Sequence, residues 1–311
     1  MKIACLGGGP AGLYFAISMK LRDPSHDVTV IERNRADDTF GWGVVLSDET
    51  LANLHANDPE SADSIKEYFA YWDDIALVHQ GQRLVSSGHG FCGIGRKRLL
   101  LLLQARAAEL GVTLQFETDI EDIDALCAAH DLVVAADGVN SRVRAHFDAA
   151  FKPEIDRRAC KFVWLGTQQK FDDAFTFIFE DTQHGWVWAH AYQFDGDTAT
   201  FIVECSEDTY NAWGFDSMSQ DENIAACEAI FADHLGGHSL MSNARHLRGS
   251  AWLNFNRVLC ENWYHKNVVL LGDSSATAHF SIGSGTKLAL ESAIALADLL
   301  HSEARLEDAF S

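Results

Sequence analysis

Linkers, disulfides and cations are all scarce in this chain. It has four prolines in 311 residues, no Ser/Gly-rich spacer, no low-complexity stretch and no internal repeat. Any domain boundary is therefore a crossover inside one compact fold. Seven cysteines (5, 92, 127, 160, 205, 227 and 260) are odd in number and never spaced C-x-x-C. That pattern excludes a disulfide framework and a cysteine zinc site, and points to a reducing compartment, the cytoplasm. Lys and Arg number 24 against 45 Asp and Glu, a net charge of −21. Such a surface repels nucleic acid and anionic membranes, so an anionic ligand needs a helix N-terminus or a local basic cluster. No apolar run reaches the ~20 residues that cross a bilayer. The N-terminus is not a signal peptide, because "KIACLGGGPAGLYFA" is broken by loop glycines and a proline. With 47% hydrophobic residues, 11% of all residues aromatic, the chain has ample material for a soluble globular core.

The glycines are concentrated where they do work. Residues 2–6, "KIACL", read as a buried strand, and "GGGPAGLYFAISMKL" reads as a turn opening a helix. Gly7, Gly9 and Gly12 match G-x-G-x-x-G: a tight turn, backbone approach to a pyrophosphate, and close packing of helix on strand. Pro10 and Ala11 begin the helix, whose free N–H groups and dipole favour phosphate. "DVTVIERN" is a second strand that ends at Glu32, placed to accept hydrogen bonds from an adenosine ribose, with Arg33 beside it. The combination predicts a bound dinucleotide, FAD or NAD in preference to NADP.

Beyond Glu32 the regular strand–helix alternation of a dehydrogenase stops. "DDIALVHQGQRLVSSG" alternates like a hairpin around "GQ", "GRKRLLLLLQARAAELG" is helical, and residues 160–205 are rich in strands. "NVVLLGD" then runs into "GDSSATAHFSIGSGTK" (272–287), a second glycine loop at the head of a second helix.

Three motifs stand in order: "GGGPAG" with Glu32, "ADGVNSRVR" at 136–144, and "LLGDSS…GSGTK" at 271–287. Together they resemble the single-component flavin aromatic hydroxylases of the 4-hydroxybenzoate hydroxylase class. "DDTFGWGVVLSDETL", "HGFCGIGRKRLL", "FIVECSEDTY" and "TAHFSIGSGTKLALE" are similar to the salicylyl-CoA 5-hydroxylase and anthraniloyl-CoA monooxygenase group, with protodeoxyviolaceinate monooxygenases as more distant relatives. The resemblance implies an α/β fold: a Rossmann-like FAD-binding domain (1–71, 94–151 and 262–311) interleaved with a β-sheet-rich substrate domain (72–93 and 152–261). It also implies further C-terminal helices, absent from a chain that stops at Ser311. Asp273 is implied at the ribityl–pyrophosphate region. The backbone at Gly283, Gly285, Thr286 and Lys287 is implied at the flavin pyrimidine edge, where a helix N-terminus stabilises negative charge. Arg96 and Asp137 are implied as cofactor contacts, and the backbone at Gly43 and Val44 as a wall beside the isoalloxazine. The two glycine loops thus serve opposite ends of one FAD.

The chemistry implied is reduction of FAD by NADH or NADPH, reaction with O2 to a C4a-hydroperoxide, and oxygen transfer to the ring carbon para to a hydroxyl or amine. Salicylyl-CoA becoming 5-hydroxysalicylyl (gentisyl)-CoA is the expected reaction, with anthraniloyl-CoA or a bulky indolic intermediate as alternatives. His79, His190, Tyr192 and His279 are the candidate proton acceptors, histidine because it titrates near neutrality. Trp188, His190 and Tyr192 fall on one face of a strand by alternation, and with Phe280 are candidates to wall a flat ring. Arg157 and Arg158, with Lys152 and Lys161, and Arg245 with Arg248, are the dense basic groups available for a CoA moiety. A flavin halogenase is the rival suggested by Trp186-x-Trp188, but His190-Ala191 replaces the Ile-Pro that completes that element. A non-catalytic flavin-binding protein is the rival of another class. The sequence leaves oligomeric state and nicotinamide preference open.

Overall fold

The computed structural model describes residues 1–39, 41–243 and 252–303. Lys2–Leu6, Asp27–Ile31, Thr113–Gln115, Leu132–Ala135 and Val268–Leu270 form a parallel sheet, with Tyr264–His265 antiparallel at one edge. Parallel strands buried on both faces need continuous apolar runs, and "KIACL" and "LVVA" supply them. The helices Pro10–Arg22, Arg96–Glu109 and Gly285–Ser302 cover one face, centred on Leu13, Phe15, Leu103 and Leu290, all fully buried.

The second layer is an antiparallel-rich sheet built from Pro153–Thr167, Ala174–Thr182, Gly185–Gln193, Ala199–Cys205 and Leu253–Cys260. The Asp74–His79 and Gln82–Ser86 hairpin extends it. That hairpin turns on Gln80 and Gly81, both at positive φ (49° and 74°), one residue earlier than the "GQ" of the sequence reading. Two positive-φ residues are what a two-residue hairpin turn requires.

A third, small sheet pairs Gly43–Ser47 and Ala70–Trp72 with Phe91–Gly95 and joins the two larger layers. Only Asp74–Ser86 of the 72–93 segment enters the large sheet. Across the Gly185–Gln193 strand, Val187, Ala189 and Ala191 are fully buried under the helices Glu207–Trp213 and Gln220–Ile230. Trp188, His190 and Tyr192 take the opposite face, as the alternation predicts.

Candidate functional site: a cofactor cleft beside an aromatic sheet face

At the C-terminal ends of the parallel strands lies a cleft of about 210 Å³, lined by Gly7, Gly9, Glu32, Arg33, Asn34, Asp119, Asp137, Gly138 and Arg142 among others. Its floor depends on missing side chains. Gly7 has φ +109°, and a Cβ there would stand 2.2 Å from the Ala136 carbonyl oxygen. A Cβ at Gly12 would stand 2.2 Å from the Gly7 oxygen. At Gly9 a Cβ would meet no protein atom within 4 Å, and this residue caps the Pro10–Arg22 helix with no side-chain bond to its N–H groups. First-turn N–H groups without partners at the edge of an open cleft are an anion seat.

Glu32 is held rather than free. Its Oε2 accepts the Gly8 N–H (2.7 Å), and its Oε1 accepts the backbone and side-chain N–H groups of Asn34 (2.8 and 2.7 Å). Oε2, with a single donor, keeps a lone pair for a ribose. Asp137 accepts from the N–H groups of Arg142 and Val143 through Oδ2, while its Oδ1 is buried without a partner.

The second glycine loop lies against the first. Gly272 (φ +68°) sits so that a Cβ would be 3.1 Å from the Ala11 Cβ. Buried Arg144 joins the two later motifs, donating to the Val139 carbonyl (2.6 Å) and the Ser274 carbonyl (2.9 Å). Ser274 in turn donates to the Ala135 carbonyl at 2.6 Å. Asp273 is solvent-accessible, yet enough protein surrounds it that desolvation raises its carboxyl pKa, and Arg96 opposes the rise. Desolvation likewise lowers the Arg96 guanidinium, with Asp273 and Tyr192 opposing, and its Nε is buried without a partner. A cation and a carboxylate that interact and both reach solvent suit a polar ligand. Gly283 (φ +70°) faces Val45, and a Cβ at Gly285, the first residue of its helix, would meet nothing within 4 Å. Lys287 is ion-paired to Glu49 at 2.8 Å, so only its backbone is left for a cofactor.

The aromatic face of the large sheet meets the Gly43–Ser47 strand. Tyr192 donates its hydroxyl to the Gly43 carbonyl (2.8 Å), and the Gly43 N–H donates to Thr200 Oγ1 (2.9 Å). Burial pushes the Tyr192 hydroxyl pKa well up. Its hydroxyl pins the Gly43–Ser47 strand and remains protonated. A Cβ at Gly43 would lie 2.6 Å from Phe194, so its glycine is required by packing, and Val44 is buried in the core. We predict that Tyr192→Phe lowers stability by about 1 kcal/mol, the usual worth of one such bond. FAD should also be released at lower denaturant, read by flavin fluorescence during a urea titration.

Next to Tyr192, buried His190 is ringed by Phe177 (centroids 4.9 Å apart), Phe280 (5.9 Å) and Phe175 (6.5 Å). Its Nε2 lies 3.5 Å from Glu204 Oε2, which also accepts the Trp188 indole N–H at 3.0 Å. His279 Nε2 is 3.9 Å from Glu204 Oε1, and its Nδ1 is 2.7 Å from Ser281 Oγ. Desolvation lowers the His279 pKa; Glu204 raises it, while His190 and Arg158 lower it further. Among the described residues no His/Cys/Asp/Glu group could hold a metal ion, and no helix is long and apolar enough to cross a membrane.

Residues 1–307 match the family model described as FAD binding domain. The chain belongs to the FAD binding domain family. It is 41% identical over 313 residues to salicyloyl-CoA 5-hydroxylase from a Streptomyces species, covering 98% of this chain and 59% of that enzyme. Identity to protodeoxyviolaceinate monooxygenase of Chromobacterium violaceum is 35%, across 97% of this chain and 80% of that one. Among solved structures, 2-methyl-3-hydroxypyridine-5-carboxylic acid oxygenase superposes with a TM-score of 0.82 at 19% identity, over 99% of this chain and 84% of its own. The chain therefore has the α/β fold of the flavin aromatic hydroxylases and spans about three-fifths of the salicyloyl-CoA enzyme's length.

The residues present fit FAD on two features of this fold: the side-chain-free cradle at Gly7, Gly9 and Gly12, and the buried unpartnered Asp137 Oδ1 and Arg96 Nε. Of the histidine candidates, the structure brings His190 and His279 together. His79 stands two strands from His190 on the same sheet, against Trp186 at 5.2 Å. Phe280 joins the aromatic wall, packing on Phe162 at 4.5 Å. Arg157 opens and Arg158 lies within a bulge in Pro153–Thr167 where Asn254 donates to the carbonyls of Arg158, Ala159 and Cys160. The Arg157 guanidinium donates to the Asn254 oxygen and Arg158 pairs with Asp156 at 3.0 Å. Arg245 and Arg248 lie outside the described residues. Sequence reasoning missed Glu204 and Arg144. The available signal for Glu204 was one carboxylate inside the apolar strand "ATFIVEC", directly opposite Trp188 in the pairing.

Proposed function

We propose that this protein is an FAD-dependent monooxygenase that consumes NADH or NADPH and O2 to hydroxylate an aromatic ring para to a hydroxyl, with salicyloyl-CoA converted to 5-hydroxysalicyloyl-CoA. The observation that carries the reading is a buried aromatic sheet face, bearing a histidine nitrogen with no protein partner, set beside the Gly43–Ser47 strand and Arg96. When bound, FAD supplies the activation of O2 and the oxygen atom that is transferred.

The chain's own residues do the rest. The Gly9 helix terminus and Glu32 hold the pyrophosphate and ribose, and Asp273 and Arg96 face the ribityl and ring. Phe175, Phe177 and Phe280 exclude water from the substrate ring, which prevents wasteful side reactions. A hydroxyl that loses its proton enriches the para carbon, and para delivery is what turns a salicyl ring into the 5-hydroxy product.

The thioester reading rests on the bulge. Phe162, four residues beyond Arg158 on the same strand, packs on Phe280 at 4.5 Å, so a basic segment adjoins the aromatic wall. Changing both Arg157 and Arg158 to Glu should raise KM for salicyloyl-CoA roughly tenfold, the scale of two partly screened contacts, with FAD content unchanged. An unaltered KM would remove the bulge from the site.

The similarity to protodeoxyviolaceinate monooxygenase supports a second reading, a bulky indolic substrate. Steady-state NADH and NADPH consumption with salicyloyl-CoA, anthraniloyl-CoA and free salicylate separates these readings. Stimulation by salicyloyl-CoA alone supports the first, and by anthraniloyl-CoA a change of ring substituent. No stimulation by any of the three contradicts the aryl-thioester assignment.

A further inference from the structure

Glu204 is a carboxylate only 5% exposed within a strand whose alternate residues, Phe201, Val203 and Cys205, are core. Burying an anion costs several kcal/mol unless donors replace its water. Here the Trp188 indole N–H donates at 3.0 Å, and the Nε2 atoms of His190 and His279 stand at 3.5 and 3.9 Å. A histidine nitrogen facing a carboxylate carries the ring's proton in the neutral form. For His190 that leaves Nδ1 as the bare acceptor, and Nδ1 is buried and has no partner in the protein. A bare acceptor inside a wall of phenylalanines is complementary to a hydroxyl donor on a flat apolar ligand.

We propose that Glu204 is a positioning residue that fixes His190 as its Nε2–H tautomer, so that Nδ1 accepts the proton of the substrate's ring hydroxyl. The inference rests on the aromatic-hydroxylase reading above. The substrate O–H bond breaks, an Nδ1–H bond forms, and the imidazolium is held against the Glu204 carboxylate. The proton is returned to a product oxygen at the end of turnover, so no electrons are gained or lost in the exchange. The arrangement is the general-base half of a carboxylate–histidine pair, in which the acid sets tautomer and stabilises the cation.

The other titratable and charged groups around the cluster are Cys160, Arg158 and Lys161 from Pro153–Thr167, Cys205 on Glu204's own strand, and His279. Burial pushes the Cys160 thiol up and Cys205 to about 12, so both remain neutral near pH 7.

The decisive measurement is the nitrogen chemical shifts of His190 in ¹⁵N-histidine-labelled, FAD-loaded protein, assigned by its loss in His190→Gln. Wild type should show a protonated Nε2 and a bare Nδ1. Glu204→Gln should mix the two tautomers, lower kcat with salicyloyl-CoA roughly a hundredfold as loss of a positioned base does, and flatten the kcat–pH profile between pH 6 and 8. FAD content and the rate of flavin reduction by the nicotinamide should be unchanged. A wild-type His190 protonated on Nδ1 would overturn the proposal without reference to any variant's folding. So would a Glu204→Gln enzyme with wild-type kcat and pH profile. If wild type ignores salicyloyl-CoA but shows the Nε2–H tautomer, the substrate reading fails and the Glu204–His190 pairing stands.

Discussion

Gly7→Ala should leave the protein without FAD. The new methyl must occupy space 2.2 Å from the Ala136 carbonyl oxygen, at a φ of +109° that alanine avoids. Neither backbone segment can yield, because Ala136 donates its N–H to Leu6 and Gly7 donates to Ile31. Strain of about 2–3 kcal/mol corresponds to roughly a hundredfold loss of affinity for a cofactor that needs the native turn, with a lower Tm in the apo form.

Gly9→Ala supplies the contrast. Its φ of −78° is ordinary for alanine and a Cβ meets no protein atom, so apo stability should be unchanged while FAD affinity falls. Equilibrium dialysis against FAD, with calorimetric Tm of both apo proteins, checks the pair. If Gly9→Ala binds FAD as wild type does, the cleft is not the pyrophosphate seat.

The second large effect lies away from the cofactor. Asp58 is 2% exposed and receives Arg106 bidentately, Nε to Oδ2 and Nη2 to Oδ1, both at 3.0 Å, with Ser61 Oγ at 2.5 Å. Arg106→Ala strips the charge partner from a buried carboxylate, which costs about 3–5 kcal/mol. Burial alone would raise the Asp58 pKa, but the bonds from Arg106 and Ser61 outweigh it and hold the group below the ordinary aspartate value. A depressed folded pKa contributes stability that is full above the unfolded value of about 3.9 and is lost as pH falls through the folded one. Urea midpoints at pH 7 should therefore fall steeply in Arg106→Ala. The wild-type advantage over Arg106→Ala should shrink as pH drops below about 4. A midpoint within experimental error of wild type at pH 7 would contradict this account of the pair.

The geometry of the glycine turn was legible because its physics is local. A G-x-G-x-x-G turn, a strand-terminal acid and a glycine-opened helix each act within a few residues of chain, and Gly7, Gly12 and Glu32 stand where their spacing implied. The face assignment of Trp188, His190 and Tyr192 was legible for the same reason, since the two-residue period needs no tertiary information. Tyr192 as an anchor for Gly43 was not legible, because the bond spans 149 residues between two sheets. Nor was the Arg144 clamp on Ser274, which joins loops 130 residues apart. Val44 turns its side chain into the core, so only its backbone faces outward from that strand. Glu204 was hidden for a simpler reason. One acid in an apolar strand looks like an edge position until cross-strand pairing sets it opposite Trp188 and within reach of two histidines.

On the proposed function, one FAD delivers an oxygen atom to the ring of an aryl thioester held on the aromatic sheet face. The direct measurement is mass spectrometry of products formed by FAD-loaded protein with salicyloyl-CoA, NADH or NADPH, and ¹⁸O2. The account predicts 5-hydroxysalicyloyl-CoA carrying one ¹⁸O atom on the ring. Unmodified salicyloyl-CoA, or a hydroxylated product whose oxygen comes from water, would contradict it.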